Sequence, residues 1–186
     1  MRVTREKAAE NRDRIVAAAA RLFREEGFDG VGVDAIMKAA GLTHGGFYRH
    51  FASKDDLAAE AVGRALAAGA ERQAGAGSLQ EFVTRYLSPR HREDRGDGCM
   101  VAALGSDMAR QGAGVRSRFT AYIRDQLEKL ADRIHVGSGA ARREKAIATL
   151  AGLVGAMMLA RAVDDPALSD EILTAARTAL GGSRDA

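Results

Sequence analysis

Proline interrupts this chain of 186 residues at only two places, Pro89 and Pro166. Because proline lacks a backbone donor and breaks helices, a chain with so few can hold helix over nearly all its length. The residues between them favour that outcome. Ala, Leu, Arg and Glu abound, aromatic residues amount to 5%, and no alternating strand pattern emerges. Hydrophobic residues at 46% against 28% charged make a globular balance, sufficient for one ordinary domain or a small one joined to a larger. The expected fold class is all-α.

Composition also narrows the chemistry. A single cysteine, Cys99, excludes an intramolecular disulfide framework and any multi-cysteine zinc or iron–sulfur site. Four scattered histidines, with neither HExxH nor CxxC, leave little from which to build a metal centre. The sequence offers no nucleophile–base pair, so the expectation is no enzyme, no metal and no cofactor. Residues 1–14 are polar and charged, without the apolar core of a secretory signal. The most hydrophobic stretch, 146–160, is about fifteen residues long, shorter than the roughly 18–20 that span a bilayer. A soluble cytoplasmic protein with no membrane partner is expected.

The formal net charge is +3, and its location matters more than its size. Residues 1–54 hold ten Lys and Arg against seven Asp and Glu, whereas the remainder holds eighteen of each. All the excess positive charge sits in the first third, which points to a polyanion partner for that end alone.

Apolar spacing predicts a first helix over 5–26, with Ile15, Ala19, Leu22 and Phe23 on one stripe and Gly27 as its left-handed cap. A second, short helix fits 33–40, with Val33, Ile36, Met37 and Ala40 on one face. Gly41-Leu42-Thr43 makes a tight turn, and Thr43 can cap a third short helix ending near Phe51. A fourth opens at Ser53-Lys54-Asp55-Asp56, a capping-box pattern, and buries Leu57, Ala61, Val62, Ala65 and Leu66. Residues 69–78 are small and polar and are expected to fray its end. Further helices are predicted over 79–87, 99–110, 115–135, 140–163 and 169–180. Pro89 stops the first of these, 90–98 is a charged loop, Pro166 precedes the last, and Gly181-Gly182 closes it.

Two short helices joined by a glycine-containing turn of three residues form a helix-turn-helix pattern. The second reads Thr43-His44-Gly45-Gly46-Phe47-Tyr48-Arg49-His50-Phe51. Two glycines cost such a helix about 1 kcal/mol each. In return they leave its first turn without bulk, so backbone and neighbouring side chains can approach a groove closely. His44, Tyr48, Arg49 and His50 supply hydrogen-bonding groups suited to phosphates and base edges. From residue 35 to 54 there is no acidic side chain. Phe47 and Phe51, four apart, share a buried face from which Tyr48 points away. The basic run Arg2, Arg5, Lys7, Arg12 and Arg14 is a solvated face or an arm that supplements DNA contact.

Gly27-Phe28, Val33, Ile36, Ala40-Gly41-Leu42-Thr43, Gly45, Phe47 to Phe51, Ser53-Lys54 and Leu57 resemble the N-terminal domain of TetR/AcrR-family transcriptional regulators. The resemblance covers roughly residues 10–65. It implies an all-α homodimer: a three-helix helix-turn-helix DNA-binding domain over 1–64 and a helical ligand-binding and dimerisation domain over 65–186. By position, it implies that Thr43, His44, Gly45 and Gly46 face bases, and that Tyr48, His50 and Lys54 hold phosphates. Gly32 and Gly46 depart from the family, which often carries Ser or Thr at the first and Thr at the second. Gly98-Cys99-Met100-Val101-Ala102-Ala103 and Leu159-Ala160-Arg161-Ala162-Val163 resemble the C-terminal part of one branch of the family.

Cys99, Met100, Met108, Phe119, Tyr122, Met157 and Met158 are candidates to line a ligand cavity, with ordinary core as the competing role. Methionine suits adaptable apolar pockets. Cys99 is either a small buried hydrophobe or a thiol sensor beside Arg90, His91, Arg92 and Arg95. The expectation is a one-component repressor on double-stranded DNA with a palindromic operator, released by a small apolar or aromatic inducer. A thiol-based sensor acting through Cys99, or a helical ligand-binding protein without DNA function, are the alternatives. The dimer interface is expected on helices 140–163 and 169–180.

Overall fold

The structure is a computed structural model that describes residues 5–74 and 77–181. Nine α-helices appear among them: α1 (Arg5–Gly30), α2 (Val33–Ala39), α3 (Lys54–Ala74), α4 (Leu79–Tyr86), α5 (Pro89–Glu93), α6 (Met100–Leu104), α7 (Ala113–Asp132), α8 (Gly139–Ala162) and α9 (Pro166–Leu180). Two 3₁₀ helices, His44–Arg49 and Met108–Arg110, complete the described elements, none of which is a strand. The fold is all-α.

Both prolines open helices instead of merely ending them. At the first helical position the missing N–H is not needed and the fixed φ is already helical. Pro89 begins α5 behind Ser88, whose hydroxyl accepts the His91 N–H at 3.2 Å. Pro166 begins α9 behind Asp165, whose carboxylate accepts the Ala167 N–H at 2.8 Å, so this helix starts three residues earlier than 169. The expected loop 90–98 therefore contains helix, and the expected helix 99–110 divides into α6 and a 3₁₀ turn. Gly105-Ser106-Asp107 lies at that division, three residues that favour turns over helix interiors.

Other departures are local. α1 runs past Gly27, whose φ of 80° kinks it, and Phe28 folds back to stack on Phe23 with ring centroids 5.0 Å apart. α3 continues unbroken to Ala74 and does not fray from residue 69. The segment after the turn is a 3₁₀ helix and not an α-helix, tightened where Gly45-Gly46 offers little helical propensity. Arg2 and Gly182 lie outside the described residues.

Two apolar clusters organise the molecule. The first unites α1, α2, the 3₁₀ helix His44–Arg49 and α3, and draws Met100, Val101, Leu104, Met108 and Val115 onto them from later in the chain. The second joins α4, α7, α8 and α9 around Leu87, Leu153, Met157 and Leu173. α3 crosses residue 64 as one continuous helix, and its flank packs on both α1 and α7.

α8 spans 24 residues with a mean hydropathy of 1.4 over its most apolar window, so by length and composition it could cross a membrane. That helix is longer than the fifteen-residue stretch read from sequence. Here it packs against α7 and α9.

Candidate functional site

Gly41 sets the geometry of the helix-turn-helix. Its φ is +66°, and a Cβ there would lie 2.6 Å from the Arg14 guanidinium. Such a backbone is strained for any residue with a Cβ. Gly41 N–H and Leu42 N–H return to the carbonyls of Lys38 and Met37, both at 2.9 Å. The chain thereby reverses, and Phe47 and Phe51 insert beside Ile36 and Met37, all nearly without solvent contact.

With that face buried, Thr43, His44, Gly45, Tyr48 and Arg49 stand exposed on the other. Tyr48 is 69% exposed, its ring edge against Phe47. A Cβ at Gly45 would meet nothing within 4 Å, and one at Gly46 would touch only Met37 at 3.5 Å. No contact inside the chain requires glycine at position 45.

The polar side chains divide by what holds them. His44 Nδ1 pairs with Asp34 on α2, leaving the other face of its ring outward. His50 is half-buried, and burial, then Arg12 and Arg49, lower its pKa from 6.5, so it acts as a neutral hydrogen-bonding group. Lys54 Nζ donates to Phe28 O at 2.6 Å, tying α3 to the end of α1 while two of its three donors remain. Gly32 caps α2 with no side-chain hydrogen bond, as its missing hydroxyl dictates. Thr43 likewise makes no side-chain cap bond to the 3₁₀ helix. Arg12 is no free arm: it pairs with Glu60 and lies over the Phe51 ring, 4.4 Å from its centroid.

A cavity of about 320 Å³ opens between α3, α4, α6 and α7. Cys99, Met100 and Tyr122 line it. Met108 is buried in the first cluster, Met157 in the second, and Phe119 packs against the first. Met158 faces outward, 39% exposed. The cavity therefore collects three of the seven candidates. It adds residues the sequence did not single out, among them Leu66, Arg72, Phe82, Arg85 and Tyr86.

The Tyr86 hydroxyl is buried beside Cys99, and burial, then Cys99, pushes its pKa well above 10. His91 bridges the cavity wall: Nδ1 donates to Tyr86 O at 2.6 Å, and Nε2 accepts the Cys99 N–H at 3.0 Å. That pattern demands the neutral ring. Burial accordingly lowers the His91 pKa.

Half-buried arginines hold the segment that follows. Arg161 on α8 donates to His91 O at 2.6 Å, Arg92 O at 3.1 Å and Asp94 O at 3.2 Å. Arg24 on α1 donates to Gly96 O and faces the Asp97 carboxylate at 3.4 Å. Desolvation lowers the pKa of both guanidiniums. One segment thus belongs to the cavity wall and is fastened to the helix that carries the helix-turn-helix. Among the described residues no cluster of His, Cys, Asp or Glu could hold a metal ion.

The family model for bacterial regulatory proteins of the tetR family matches residues 15–61. The HTH-type transcriptional regulator AcrR of Shigella flexneri is 42% identical over 59 residues, 32% of this chain and 27% of that protein. An HTH-type transcriptional regulator of Staphylococcus aureus is 42% identical over 62 residues, 33% of this chain and 34% of its own length. The match thus spans about a third or less of these relatives. Likeness to solved structures extends over the whole chain. A TetR transcriptional regulator from Chloroflexus aurantiacus is 28% identical, with a TM-score of 0.77, covering 95% of this chain and 94% of that one. The reduced form of Escherichia coli NemR is 21% identical, with a TM-score of 0.74, covering 91% of this chain and 94% of that one. Residues 15–61 thus match the helix-turn-helix of the tetR family of bacterial regulatory proteins, and the fold of the chain follows that of solved TetR regulators over nearly all its length.

Proposed function

We propose that the protein is a one-component, sequence-specific DNA-binding regulator, acting in the cytoplasm as a homodimeric repressor. The observation that carries this reading is the outward face of the 3₁₀ helix His44–Arg49. Phe47 anchors it wholly inside, Tyr48 stands outside, and no acidic residue occurs from 35 to 54. Residues 1–64 dock this face in the major groove. His44 reads bases, and Tyr48, His50 and Lys54 hold phosphates. Residues 65–186 supply the dimer and the inducer cavity. An occupant that shifts the segment carrying Gly96 and Asp97 pulls on Arg24 and so on α1, which changes how the two reading heads are spaced.

Footprinting of DNA upstream of the protein's own gene tests this. A protected palindrome is expected, with affinity falling by about 10³ or more from 50 to 200 mM salt. Lys54→Ala and Tyr48→Phe are expected to weaken binding to every sequence, and His44→Ala to change which variants are preferred. No protected palindrome, or binding indifferent to salt, sinks the reading.

A second reading concerns the trigger. Cys99 is the only cysteine, lines the cavity and adjoins the buried Tyr86 hydroxyl. An electrophile that adds to its sulfur would act on the same wall. Release that survives Cys99→Ser belongs to a reversible ligand, and release lost in that variant belongs to the thiol.

A further inference from the structure

We propose that the cavity between α3, α4, α6 and α7 takes a small amphipathic anion, an apolar ring system or short chain that carries a carboxylate. The proposal rests on the reading of this cavity as the inducer site and adds its chemical class. At about 320 Å³ the space lies at the lower end for small-molecule pockets. One wall is apolar, built from Leu66, Phe82, Met100 and the Tyr122 ring. Sequence alone suggested a pocket for a small apolar or aromatic compound, but the rest of this lining is not apolar.

The remaining wall is rich in donors, and several of its acceptors also serve the fold. Arg72 on α3, Arg85 on α4 and Arg90 on α5 converge there from three elements. Each guanidinium carries five N–H groups in a planar fork. Arg72 uses one of them on Asp97 O at 2.9 Å, and Arg85 also has a partner within the chain. The Tyr86 hydroxyl, protonated at any ordinary pH, is buried beside the Cys99 thiol on this wall. On the acceptor side, both ring nitrogens of His91 are engaged and Ser88 Oγ receives the His91 N–H. Asp94 closes its own turn by accepting the Asp97 N–H at 3.0 Å, and the Asp97 carboxylate faces Arg24.

Charge points the same way. The three rim arginines are backed by Arg24 and Arg161, against the two carboxylates of Asp94 and Asp97. A cavity with low-dielectric walls focuses that positive potential inward. An ammonium ligand would meet five arginines against two carboxylates. A hydrocarbon would leave the arginine rim unaddressed. A carboxylate can accept a guanidinium fork in bidentate fashion, while its apolar body covers the opposite wall.

Calorimetric titration of the full chain with three probes of one shape tests the class: 1-naphthylacetate, 1-naphthylacetamide and 2-(1-naphthyl)ethylammonium. The carboxylate is expected to bind at least about tenfold more tightly than the amide, and the ammonium more weakly than either. Arg85→Gln and Arg90→Gln, both on exposed side chains, should each erode the carboxylate-to-amide ratio about threefold to tenfold. Gly69→Leu would place a side chain against Tyr122, whose hydroxyl lies 3.6 Å from the position of a Cβ there, and is expected to block all three probes. Amide or ammonium binding as tight as the carboxylate, no binding by any probe, or a ratio unmoved by both arginine variants overturns the proposal. Operator binding by gel shift is read separately. Failure there with the carboxylate preference intact removes the regulator reading alone, and operator binding without that preference removes only the ligand class.

Discussion

Gly41 and Gly45 lie four residues apart, and only Gly41 is required by the chain's own packing. At Gly41 the φ of +66° strains any residue with a side chain and the Arg14 guanidinium would have to move aside, whereas a Cβ at Gly45 points into open space. The two glycines therefore separate folding from recognition. Gly41→Ala is expected to lower stability by about 1–2 kcal/mol in urea unfolding, the cost of a left-handed backbone with a Cβ. Gly45→Ala should leave stability unchanged or raise it by up to about 1 kcal/mol, since glycine is the poorer helical residue. Its operator affinity should nevertheless fall about tenfold or more, because the methyl stands where the groove wall would approach. A Gly45→Ala protein that binds DNA like the parent would show that the open turn has no such use. The division of this segment into buried and outward faces was legible from the four-residue spacing of Phe47 and Phe51. The pairing of His44 with Asp34 was not, because it joins two helices across a turn whose geometry no residue spacing encodes.

At the scale of elements, local signals marked most helices and misread those whose ends depend on partners. α2 and the 3₁₀ helix His44–Arg49 fall within a residue or two of the expected spans because glycines and apolar spacing act nearby. α5 and α9 begin at prolines that sequence treated as breaks, since an N1 proline and a terminating proline look alike until the capping residue is seen. The cavity wall was the least legible. Arg24 and Arg161 would be expected at the surface. Their burial follows from the carbonyls of residues 91–96, brought to them only by the folded chain. The same wall makes stability depend on pH. His91 and His50 are held below 6.5 in the folded chain, chiefly by burial. The unfolded chain takes up protons near that pH and the folded chain does not. Stability is therefore complete above it and is lost as pH falls through it. A protonated His91 would also turn an N–H toward the Cys99 N–H that it now accepts. Urea midpoints are expected to fall between about pH 6.5 and 5. His91→Asn should flatten part of that slope and leave the share of His50. A slope indifferent to His91→Asn would place the titration elsewhere.

At the scale of the molecule, α8 poses a problem that the single chain leaves open. Its mean hydropathy is 1.4 over the most apolar window, yet only 33% of that window is buried within the protomer. Ala146, Leu153, Ala156, Met157 and Ala160 fill the inner face. On the outer face Ile147, Ala148, Ala151, Met158 and Leu159 are exposed, and Gly155 lies among them half-buried. These positions recur at helical spacing, so they form one apolar stripe the length of the helix. Leu168 on α9, 42% exposed, is a further large apolar side chain on the neighbouring helix. A stripe of this size is costly in water, and small residues along it let a second helix approach closely. In the proposed homodimer, the partner this stripe would meet is the same stripe on a second copy, brought together by a twofold axis. Gly155 gives a clean test, because a Cβ there meets nothing within 4 Å of its own chain. Gly155→Glu is therefore expected to leave the protomer folded, with unchanged helical circular dichroism, while an unpaired carboxylate in the apposed stripes costs several kcal/mol. Sedimentation should report a monomer at concentrations where the parent is a dimer. Operator affinity should fall by orders of magnitude, because each reading head must then bind its half-site alone. An intact Gly155→Glu dimer would move the interface off α8, and a monomer that still held the palindrome tightly would separate dimerisation from DNA binding.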